Sequence, residues 1–576
     1  MNIIFQTIQF IRSVLPKDQK VKAIGVSILL FINSGLELIG LSAMLPVFAV
    51  LLEDDVVNKY AWANWIYNLF GLTDDKQFII LLTVVLFLVV VVKNIAGMII
   101  VKLQSEFAMG LYSDFAKRLH QIYYRKGFLF FKEENSNVLH RNVQAATQSF
   151  ANLQVLGVLN ILNEIIVLIS IVLSIAIYDF KILILLALIV IPSFIILYKY
   201  VRNKSLEIGE TRKIIGPRLN KNIFQSIFGY VDVVISGSEN LFRTRMNNDV
   251  DELVDSNIKI NIYNLAPTRV IESALMLAIL VMNIYGVYYL ESRIELLQLL
   301  GVFAIAGFRV MPSINRMMTF LNALNQNKWT FGVLDGLKSE THYMKPIQKE
   351  LTFEHSLELK NIEFQYPDAN EKSIVKDFSL LIKKGETIGL IGASGSGKTT
   401  IMNILLGFLK VTKGQYLIDD QVFGDEYVDS FYHKVGYVQQ SVYIIDGSLA
   451  ENVAFGVKEE NIDYPKLEEV LKKASLYEVS QELENGVHTR IGENGTKLSG
   501  GQRQRVGIAR ALYFDAEILF FDEATSALDT QTEKEITESI HKLSESSLTI
   551  IIIAHRISTL EDCDRIIEIK KEEEVI

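Results

Sequence analysis

The chain has 576 residues, half of them hydrophobic, and a formal net charge of −9. This length exceeds what one hydrophobic core supports, so at least two domains are expected. The acidic balance and the lack of a basic stripe argue against a nucleic-acid partner. The single cysteine, Cys563, excludes an intrachain disulfide.

The N-terminal stretch MNIIFQTIQFIRSVLPKDQK repeats apolar side chains at helical spacing up to Leu15, and Pro16 ends the pattern. It lacks the uninterrupted apolar region and the small-residue cleavage site of a secretory signal. The spacing predicts a short amphipathic helix at the cytoplasmic membrane surface. A frayed leader is the alternative interpretation.

Six later segments have the roughly 20 apolar residues that a membrane-spanning helix needs. They are residues 22–52, 78–101, 151–178, 181–200, 262–290 and 295–325. The loop after the first span is acidic, whereas the connections after the second and fourth spans are rich in Lys and Arg. By the positive-inside rule, these basic connections and both termini are expected in the cytoplasm.

The acidic outer loop contains YAWANWIYNLF at residues 60–70. Trp62, Trp65, Leu69 and Phe70 recur so as to give a helix one apolar face. This pattern predicts an interfacial helix on the outer leaflet, and ordinary aromatic anchoring at the membrane surface is the alternative.

Residues 326–350 turn polar and are interpreted as a linker between a membrane domain at 1–325 and a second domain at 351–576. In the second domain, apolar runs such as ETIGLIG, EILFFDE and LTIIIIAH alternate with helical patterns. Buried strands separated by helices predict a mostly parallel sheet with helices on both faces.

A glycine-rich loop, GASGSGKT at residues 392–399, follows one of these strands and precedes a helical run. This is the context of a P-loop, whose backbone N–H groups surround a phosphate at a helix N-terminus. Lys398 is expected to reach the β- and γ-phosphates of ATP, and Thr399 to ligate Mg²⁺. The predicted nucleotide-binding residues here are Gly392, Ser394, Gly395, Ser396, Gly397, Lys398, Thr399 and Thr400.

The run EILFFDE is an apolar strand that ends in two carboxylates, Asp522 and Glu523. Asp522 is placed to hold the Mg²⁺ shell, and Glu523 to polarise a water for in-line attack on the γ-phosphate. The structural alternative is a strand end followed by a helix cap, which leaves two acids after so apolar a strand unexplained.

A third motif, LSGGQRQR at residues 498–505, resembles the signature sequence of ATP-binding cassette (ABC) proteins. The resemblance extends along the whole domain in family order. It assigns adenine stacking to Tyr366, the Q-loop to Gln440, the D-loop to Asp529 and the switch histidine to His555. It therefore implies an ATPase with Glu523, His555 and Gln440 as catalytic residues and with Mg²⁺ held by Thr399, Gln440 and Asp522.

In this family the signature residues close over ATP held by the P-loop of a second cassette. The matching residues are Ser499, Gly500, Gly501 and Gln502. One cassette and six spans resemble a half-transporter: a six-span α-helical ABC exporter domain followed by an α/β P-loop cassette. Its active unit is expected to be a symmetric homodimer, with a heterodimer as the alternative.

Two cytoplasmic stretches, residues 130–143 and 226–242, resemble the coupling helices of exporters. In that family such segments carry the movement of the cassettes to the spans. The alternative for each is a solvated part of a long cytoplasmic helix.

Several basic residues lie inside predicted spans, where each costs about 2.5–3.5 kcal/mol at the bilayer centre. They are Lys93 in span two, Arg269 in span five, and Arg309 and Arg316 in span six. In one interpretation they pair with acids such as Glu37 and Glu164, or lie at the interface. In the other they line a positively charged cavity for an anionic headgroup.

The span-six motif RVMPSINR, the cations in spans two and five, and the outer loop together resemble PglK-type bacterial flippases. That resemblance implies a glycan on a polyprenyl diphosphate, moved from the cytoplasmic to the outer leaflet of the bacterial cytoplasmic membrane. Lys93 departs from the arginines of the family, which makes a bidentate diphosphate contact there less favourable. The alternatives are export of lipid A, a drug or a peptide, or a non-transporting regulatory membrane ATPase.

Overall fold

The computed structural model describes residues 2–43, 46–47, 50, 56–72, 74–178, 180–289, 293–342, 347–367, 373–523, 530–544, 547–554 and 556–570. The chain forms two compact units, Met1–Tyr343 and Met344–Ile576. The first unit is helical and the second combines helices with two sheets.

The first unit is built on long helices. Their bounds are α1 Asn2–Val14, α2 Lys17–Ser42, α3 Val56–Lys59, α4 Ala61–Leu69, α5 Asp75–Arg125, α6 Gly127–Glu133, α7 Ser136–Arg141, α8 Thr147–Ser149, α9 Leu156–Tyr178, α10 Phe180–Phe228, α11 Tyr230–Ile235, α12 Glu239–Tyr289, α13 Arg293–Gln326 and α14 Thr330–Leu334. Two π-helical stretches, Asn142–Ala146 and Phe150–Val155, flank α8. A 3₁₀ helix, Asp335–His342, follows α14.

Three helical stretches within the described ranges are long and apolar enough to cross a membrane: Lys76–Arg125, Ser136–Leu173 and Glu239–Tyr288. Continuous helices α2, α10 and α13 also run through the other three predicted spans, although the end of the first span lies outside the described residues. The helix α5 has 51 residues, which corresponds to about 75 Å. It is therefore much longer than the hydrocarbon core of a bilayer, which is about 30 Å thick.

The helix α1 is amphipathic, as its spacing predicts. On its buried side, Phe10 packs edge-on against Phe150 and Phe331, with 5.3 and 5.4 Å between ring centroids. Phe5 and Ile8 lie on its exposed side. Full burial of one such aromatic side chain stabilises a fold by roughly 1.5–3 kcal/mol, so this cluster anchors α1 to the rest of the unit.

Residues 330–342, placed in the linker on sequence, form α14 and the following 3₁₀ helix of the first unit. Leu334 and Leu337 are completely buried there. Arg118 of α5 ties this segment down by donating to the carbonyl oxygens of Val14 and Leu337, at 3.0 and 3.3 Å. The polar composition of the stretch hid these two buried leucines.

The helix α4 occupies the predicted outer loop. Trp62 packs towards Phe78 of α5, with ring centroids 6.5 Å apart, whereas Trp65, Leu69 and Phe70 are exposed. The aromatic face predicted from spacing is therefore divided between the core and the surface.

The segments predicted as coupling helices contain short helices between long ones. The helix α6 lies between α5 and the continuous helical stretch that begins with α7, and α11 lies between α10 and α12. On α11, Tyr230, Val231 and Ile235 are exposed, the last by 81%.

The second unit contains the elements of an α/β domain. Its strands are β1 Ser356–Phe364, β2 Val375–Lys383, β3 Thr387–Ile391, β4 Lys413–Ile418, β5 Gln421–Val422, β6 Val435–Val438, β7 Ile518–Asp522, β8 Thr549–Ile553 and β9 Arg565–Glu568. Its helices are α15 Lys398–Leu405, α16 Val428–Tyr432, α17 Leu449–Val453, α18 Tyr464–Lys473, α19 Tyr477–Glu482, α20 Gly500–Tyr513 and α21 Thr530–Ser544. The 3₁₀ helices are Glu459–Asn461, Gly486–His488, Glu493–Gly495 and Ile557–Leu560.

Two sheets organise this unit. One is antiparallel, in the order β2-β1-β4-β5, and the other has the order β6-β7-β8-β3-β9 with parallel pairing throughout. The central strands β7 and β8 are buried apolar runs, because helices cover both faces of a parallel sheet. The parallel order brings the ends of β3, β6 and β7 to one edge.

Candidate nucleotide site and membrane cations

The nucleotide site predicted from sequence lies at the carboxyl edge of the parallel sheet. The strand β3 leads into the P-loop, β7 ends at Asp522, and β6 ends two residues before Gln440. Since ligands of open α/β sheets bind outside the carboxyl ends of the strands, these three loops form the candidate site.

The P-loop turns tightly from β3 into α15. Gly395 and Gly397 have φ of 76° and 98°, a left-handed conformation that strains any residue with a side chain. A Cβ on Gly392 would lie 2.3 Å from the carbonyl oxygen of Ile569, so only glycine fits there. These three positions explain why the loop is rich in glycine.

Two polar side chains of the P-loop are buried. Lys398 donates from Nζ to the carbonyl oxygens of Gly392 and Ala393, at 2.8 and 2.9 Å. Ser396 is 6% exposed, and its Oγ has no hydrogen-bond partner among the described residues. A buried hydroxyl without a partner is costly unless a ligand supplies one, which suits a phosphate cradle.

The remaining predicted P-loop residues differ in exposure. Ser394 and Thr399 are exposed, and Thr400 is buried. The Thr400 hydroxyl lies 3.5 Å from the hydroxyl of Tyr366. Tyr366 thereby sits next to the first turn of α15, and its ring packs edge-on against Phe364 at 5.0 Å between centroids.

The two carboxylates at the end of β7, Asp522 and Glu523, have different environments. Asp522 accepts a hydrogen bond at Oδ2 from the hydroxyl of Tyr437, at 3.1 Å. Burial, together with the neighbouring Glu523, raises the pKa of Asp522 above its usual value, against the opposing effects of Tyr437 and Lys398. Glu523 has a left-handed φ of 49°, a strained backbone that is common at functional sites.

Gln440 links three parts of the site. Its Nε2 donates to Oε2 of Glu523, at 3.1 Å. The backbone carbonyl oxygen of Gln440 accepts from Nε2 of Gln504, at 2.6 Å. Gln504 is on α20, so the Q-loop is held between the signature helix and the candidate catalytic glutamate.

The signature residues form the start of α20. The Ser499 hydroxyl caps the helix by accepting from the backbone N–H of Gln502, and Oε1 of Gln502 completes a capping box by accepting from the backbone N–H of Ser499. Gly500 is half-buried and Gly501 is buried. Ser499 itself is exposed.

The predicted metal donors suit Mg²⁺ by their chemistry. Within the described ranges, no group of three or more His, Cys, Asp and Glu side chains is arranged to hold a metal ion. Thr399, Gln440 and Asp522 offer one hydroxyl, one amide and one carboxylate, and Mg²⁺ in nucleotide sites takes its other ligands from phosphates and water. His555 and Asp529 lie outside the described residues.

Two of the predicted membrane cations face a carboxylate on another helix. Lys93 on α5 pairs with Glu37 on α2, with 3.1 Å between Nζ and Oε2. Gly40 makes room for this pair, because a Cβ there would lie 2.8 Å from Cδ of Lys93.

The second pair is bidentate. Arg316 on α13 donates from Nε and Nη2 to the two carboxylate oxygens of Glu164 on α9, at 2.6 and 3.2 Å. The Glu164 side chain is 6% exposed, whereas that of Arg316 is 41% exposed. The neighbouring Asn163 accepts from Asn33 and Ser34 of α2, so α9 connects α2 to α13.

The other two predicted cavity residues are not in such pairs. Arg269 is 80% exposed and makes a 3.3 Å contact with Glu272, one turn away on α12. Arg309 belongs to α13, and its side chain lies outside the described residues. Interhelical charge pairing therefore accounts for Lys93 and Arg316 but not for Arg269.

Sequence reasoning missed two contacts of the nucleotide site. Tyr437 donates to Asp522, and Gln504 donates to Gln440 of the Q-loop. Neither Tyr437 nor Gln504 was predicted as a site residue. Gln504 lies inside the signature motif, so its position alone was a usable signal. Tyr437 precedes the Q-loop by three residues and carries no comparable signal.

Comparison with known proteins agrees with this geometry. Residues 375–526 match the family model described as ABC transporter. The chain is 38% identical over 269 residues to an ATP-dependent lipid A-core flippase of Alkalilimnicola ehrlichii, across 46% of this chain and 45% of that protein. A flippase described in the same words from Ralstonia nicotianae is 37% identical over 268 residues, across 46% and 43%.

A sophorolipid transporter of Starmerella bombicola is 35% identical over 283 residues, across 47% of this chain and 21% of that transporter. The matches thus span less than half of the length of these relatives. A solved structure of a bacterial Atm1-family ABC exporter with ATP bound matches 96% of this chain and 94% of its own, with a TM-score of 0.73 and 20% identity. Residues 375–526 are therefore similar to an ABC transporter domain, and the chain shares the fold of an ABC exporter.

Proposed function

We propose that the chain is one half of a homodimeric ABC exporter, which hydrolyses ATP in its cassettes and flips an amphipathic lipid across a bacterial cytoplasmic membrane. The observation that carries this proposal is the cluster at the sheet edge, where Gln440 contacts Glu523 next to Asp522. On an exporter fold, this cluster and the P-loop supply the groups that ATP hydrolysis needs.

The residues of the cassette divide the work of hydrolysis. Lys398 and the P-loop amides bind the phosphates, and Lys398 exchanges its present carbonyl partners for phosphate oxygens. Glu523, oriented by Gln440, positions the attacking water and accepts its proton. Thr399 and Asp522 would hold Mg²⁺, which would supply positive charge to the phosphates during hydrolysis.

Two copies of the chain complete each nucleotide site in this proposal. The first turn of α20, from Ser499 to Gln502, presents backbone N–H groups and a hydroxyl at a helix N-terminus, which suits an anion. In the homodimer these groups cover ATP bound to the partner subunit, with Asp529 and His555 in the family roles of D-loop and switch. Symmetry then gives two equivalent sites.

The helical unit is proposed to cross the membrane six times, with the cassette and both termini in the cytoplasm. The three described apolar stretches and the helices α2, α10 and α13 supply six spans. The short helices α6 and α11 lie at turns between long helices, where they can transmit cassette movement to the spans.

The proposed cargo is a polyprenyl-diphosphate-linked oligosaccharide. It is supported by the concentration of cations in the spans, of which Arg269 is the most exposed among those whose side chains are described. The Arg316 side chain also stays partly exposed although Glu164 pairs with it. Two relatives are named as lipid A-core flippases, which makes lipid A export the second candidate.

A reconstituted transport assay tests the function. Purified protein in liposomes would receive fluorescent lipid-linked oligosaccharide in one arm and fluorescent lipid A in the other. Label accessibility on the outside would then be followed after Mg-ATP is added. We expect ATP-dependent translocation of the oligosaccharide lipid and its loss in Glu523→Gln.

Variants separate the cargo from the motor. Arg269→Ala and Arg309→Ala are expected to slow translocation while basal ATP hydrolysis persists, and the exposed Arg212→Ala serves as the matched control. Faster transport of lipid A would replace the proposed cargo by the second candidate. Hydrolysis without movement of either lipid would instead favour a non-transporting ATPase.

A further inference from the structure

We propose that Tyr437 is a positioning residue of the nucleotide site, which fixes the carboxylate of Asp522 so that one of its oxygens is presented to the Mg²⁺ of bound nucleotide. This role rests on the proposed ATPase function of the cassette. It concerns a side chain to which none of the motifs assigns a role.

The sheet register places the two side chains together. The strands β6 and β7 are parallel, and Tyr437 lies opposite Phe520. Side chains two residues apart on a strand share a face, so Asp522 lies on the same face as Phe520 and diagonal to Tyr437. A tyrosine is long enough to bridge this diagonal, and its hydroxyl reaches Oδ2 of Asp522 at 3.1 Å.

The ring of Tyr437 is itself held in place. Phe408, which follows α15, packs edge-on against it with 6.4 Å between ring centroids. The phenol hydroxyl is the donor of this hydrogen bond, because a carboxylate offers only acceptor oxygens. The hydrogen bond therefore has a fixed direction, from tyrosine to aspartate.

Fixing one oxygen determines what the other can do. A carboxylate free to rotate exchanges its two oxygens, whereas Tyr437 retains Oδ2 and leaves Oδ1 for a metal ligand bond. The adjacent Glu523 carries a like charge, which would otherwise bias the rotation of Asp522. Partners that orient a metal ligand in this way usually contribute to metal affinity rather than to binding of the rest of the substrate.

The test measures metal binding without turnover. Full-length protein in detergent would bind a non-hydrolysable ATP analogue, and Mn²⁺ would be titrated as the probe and followed by electron paramagnetic resonance. We expect Tyr437→Phe to weaken Mn²⁺ binding about tenfold. Affinity for the nucleotide in the presence of EDTA should be unchanged, which separates positioning from a merely structural role.

A matched variant controls for the loss of a hydroxyl. Tyr432 also packs against Phe408, with 5.9 Å between centroids, and Tyr432→Phe should leave both affinities unchanged. Unaltered or tighter Mn²⁺ binding by Tyr437→Phe would overturn the proposal, as would an equal loss of metal-free nucleotide binding. A wild-type protein that binds no nucleotide would instead remove the ATPase function, and this role with it.

Discussion

In the cassette, the charged residues of the candidate site come from neighbouring strand ends of one sheet, whereas in the helical unit charges meet across different helices. Asp522 and Glu523 are adjacent in sequence, and Gln440 joins them from the next strand. Arg316 and Glu164 are 152 residues apart and meet only because α13 packs against α9.

This difference follows from what each region can offer a charge. At the edge of the sheet, water and ligand phosphates can stabilise carboxylates and a lysine, so the chain places them by local turns. Inside a helical unit with little water, a charge needs a partner of opposite sign, and that partner can lie anywhere in sequence. Mutation of these charges should therefore mainly reduce ATP hydrolysis in the cassette and mainly reduce stability in the helical unit.

The largest effect is expected for Glu523→Gln in the cassette. Because the amide cannot accept a proton from water, ATP hydrolysis should fall by at least about 100-fold while nucleotide binding persists. Phosphate release and nucleotide affinity are the measurements, with the exposed Glu561→Gln as the control. Near-normal hydrolysis would show that Glu523 is not the general base and that its position in the motif was misleading.

Much of the cassette was predictable, because its motifs are contiguous and each implies its own strand, turn or helix. The P-loop glycines, the acids after β7 and the cap formed by Ser499 follow from short segments. The contact of Tyr437 with Asp522 was not predictable, since it depends on the register of β6 against β7. No local pattern encodes such a register.

In the helical unit the positions of the charges were predictable but their partners were not. Glu37 and Glu164 were recognised as acids within spans, yet their pairing with Lys93 and Arg316 depends on how four helices pack. The buried leucines of residues 330–342 were likewise hidden, because only the tertiary structure distinguishes them from those of a polar linker.

The second largest effect is expected for Arg316→Ala, and it should be a loss of stability. Removing the guanidinium leaves the buried Glu164 without its partner, which should destabilise the unit by about 3 kcal/mol. All three tryptophans lie in the first unit, so thermal unfolding followed by tryptophan fluorescence reports on it. The exposed Arg269→Ala should shift the same transition by less than about 0.5 kcal/mol.

The pairing can be tested separately from the loss of a side chain. Arg316→Met combined with Glu164→Leu removes both charges and should recover most of the stability lost in Arg316→Ala. If Arg316→Ala unfolds like the wild type, the contact with Glu164 contributes little, and Arg316 resembles the exposed Arg269.

A smaller effect is expected for Gln504→Leu, which removes the long-range contact of the Q-loop. Losing one hydrogen bond worth about 1 kcal/mol should slow ATP hydrolysis about fivefold, because Gln440 no longer holds Glu523 firmly. Stability should change little, since Oε1 of Gln504 already lacks a partner among the described residues.

Burial raises the pKa of the Cys563 thiol to about 12, so the thiol stays protonated and reacts slowly in the folded cassette. Its reaction rate with a thiol reagent therefore reports opening of the cassette.

A smaller loss of stability than that of Arg316→Ala is expected at Glu517, whose ion pairs in the cassette are partly exposed. The carboxylate of Glu517 accepts hydrogen bonds from Lys434 and Lys384. Lys434 directly precedes β6, and Lys384 lies in the turn before β3. Partial burial raises the pKa of Glu517, but the hydrogen bonds and charges of Lys434 and Lys384 outweigh it and lower the pKa overall. With a third of the side chain exposed, solvent screens the pair, and Glu517→Gln should cost only about 1 kcal/mol at pH 7.

The sign of the pH dependence distinguishes this pair from a contact of another kind. A lowered pKa contributes stability above the unfolded value of about 4.3, and that contribution is lost as the pH falls through the folded pKa. Hydrogen exchange of peptides from β6 and β7, compared between wild type and Glu517→Gln at matched pH, should therefore differ at pH 7 and converge once the pH falls below the lowered pKa of Glu517. A difference that persists in acid would mean that Glu517 acts by packing rather than by charge. The difference between the Glu517 contacts and the Arg316–Glu164 pair would then come only from how deeply each is buried.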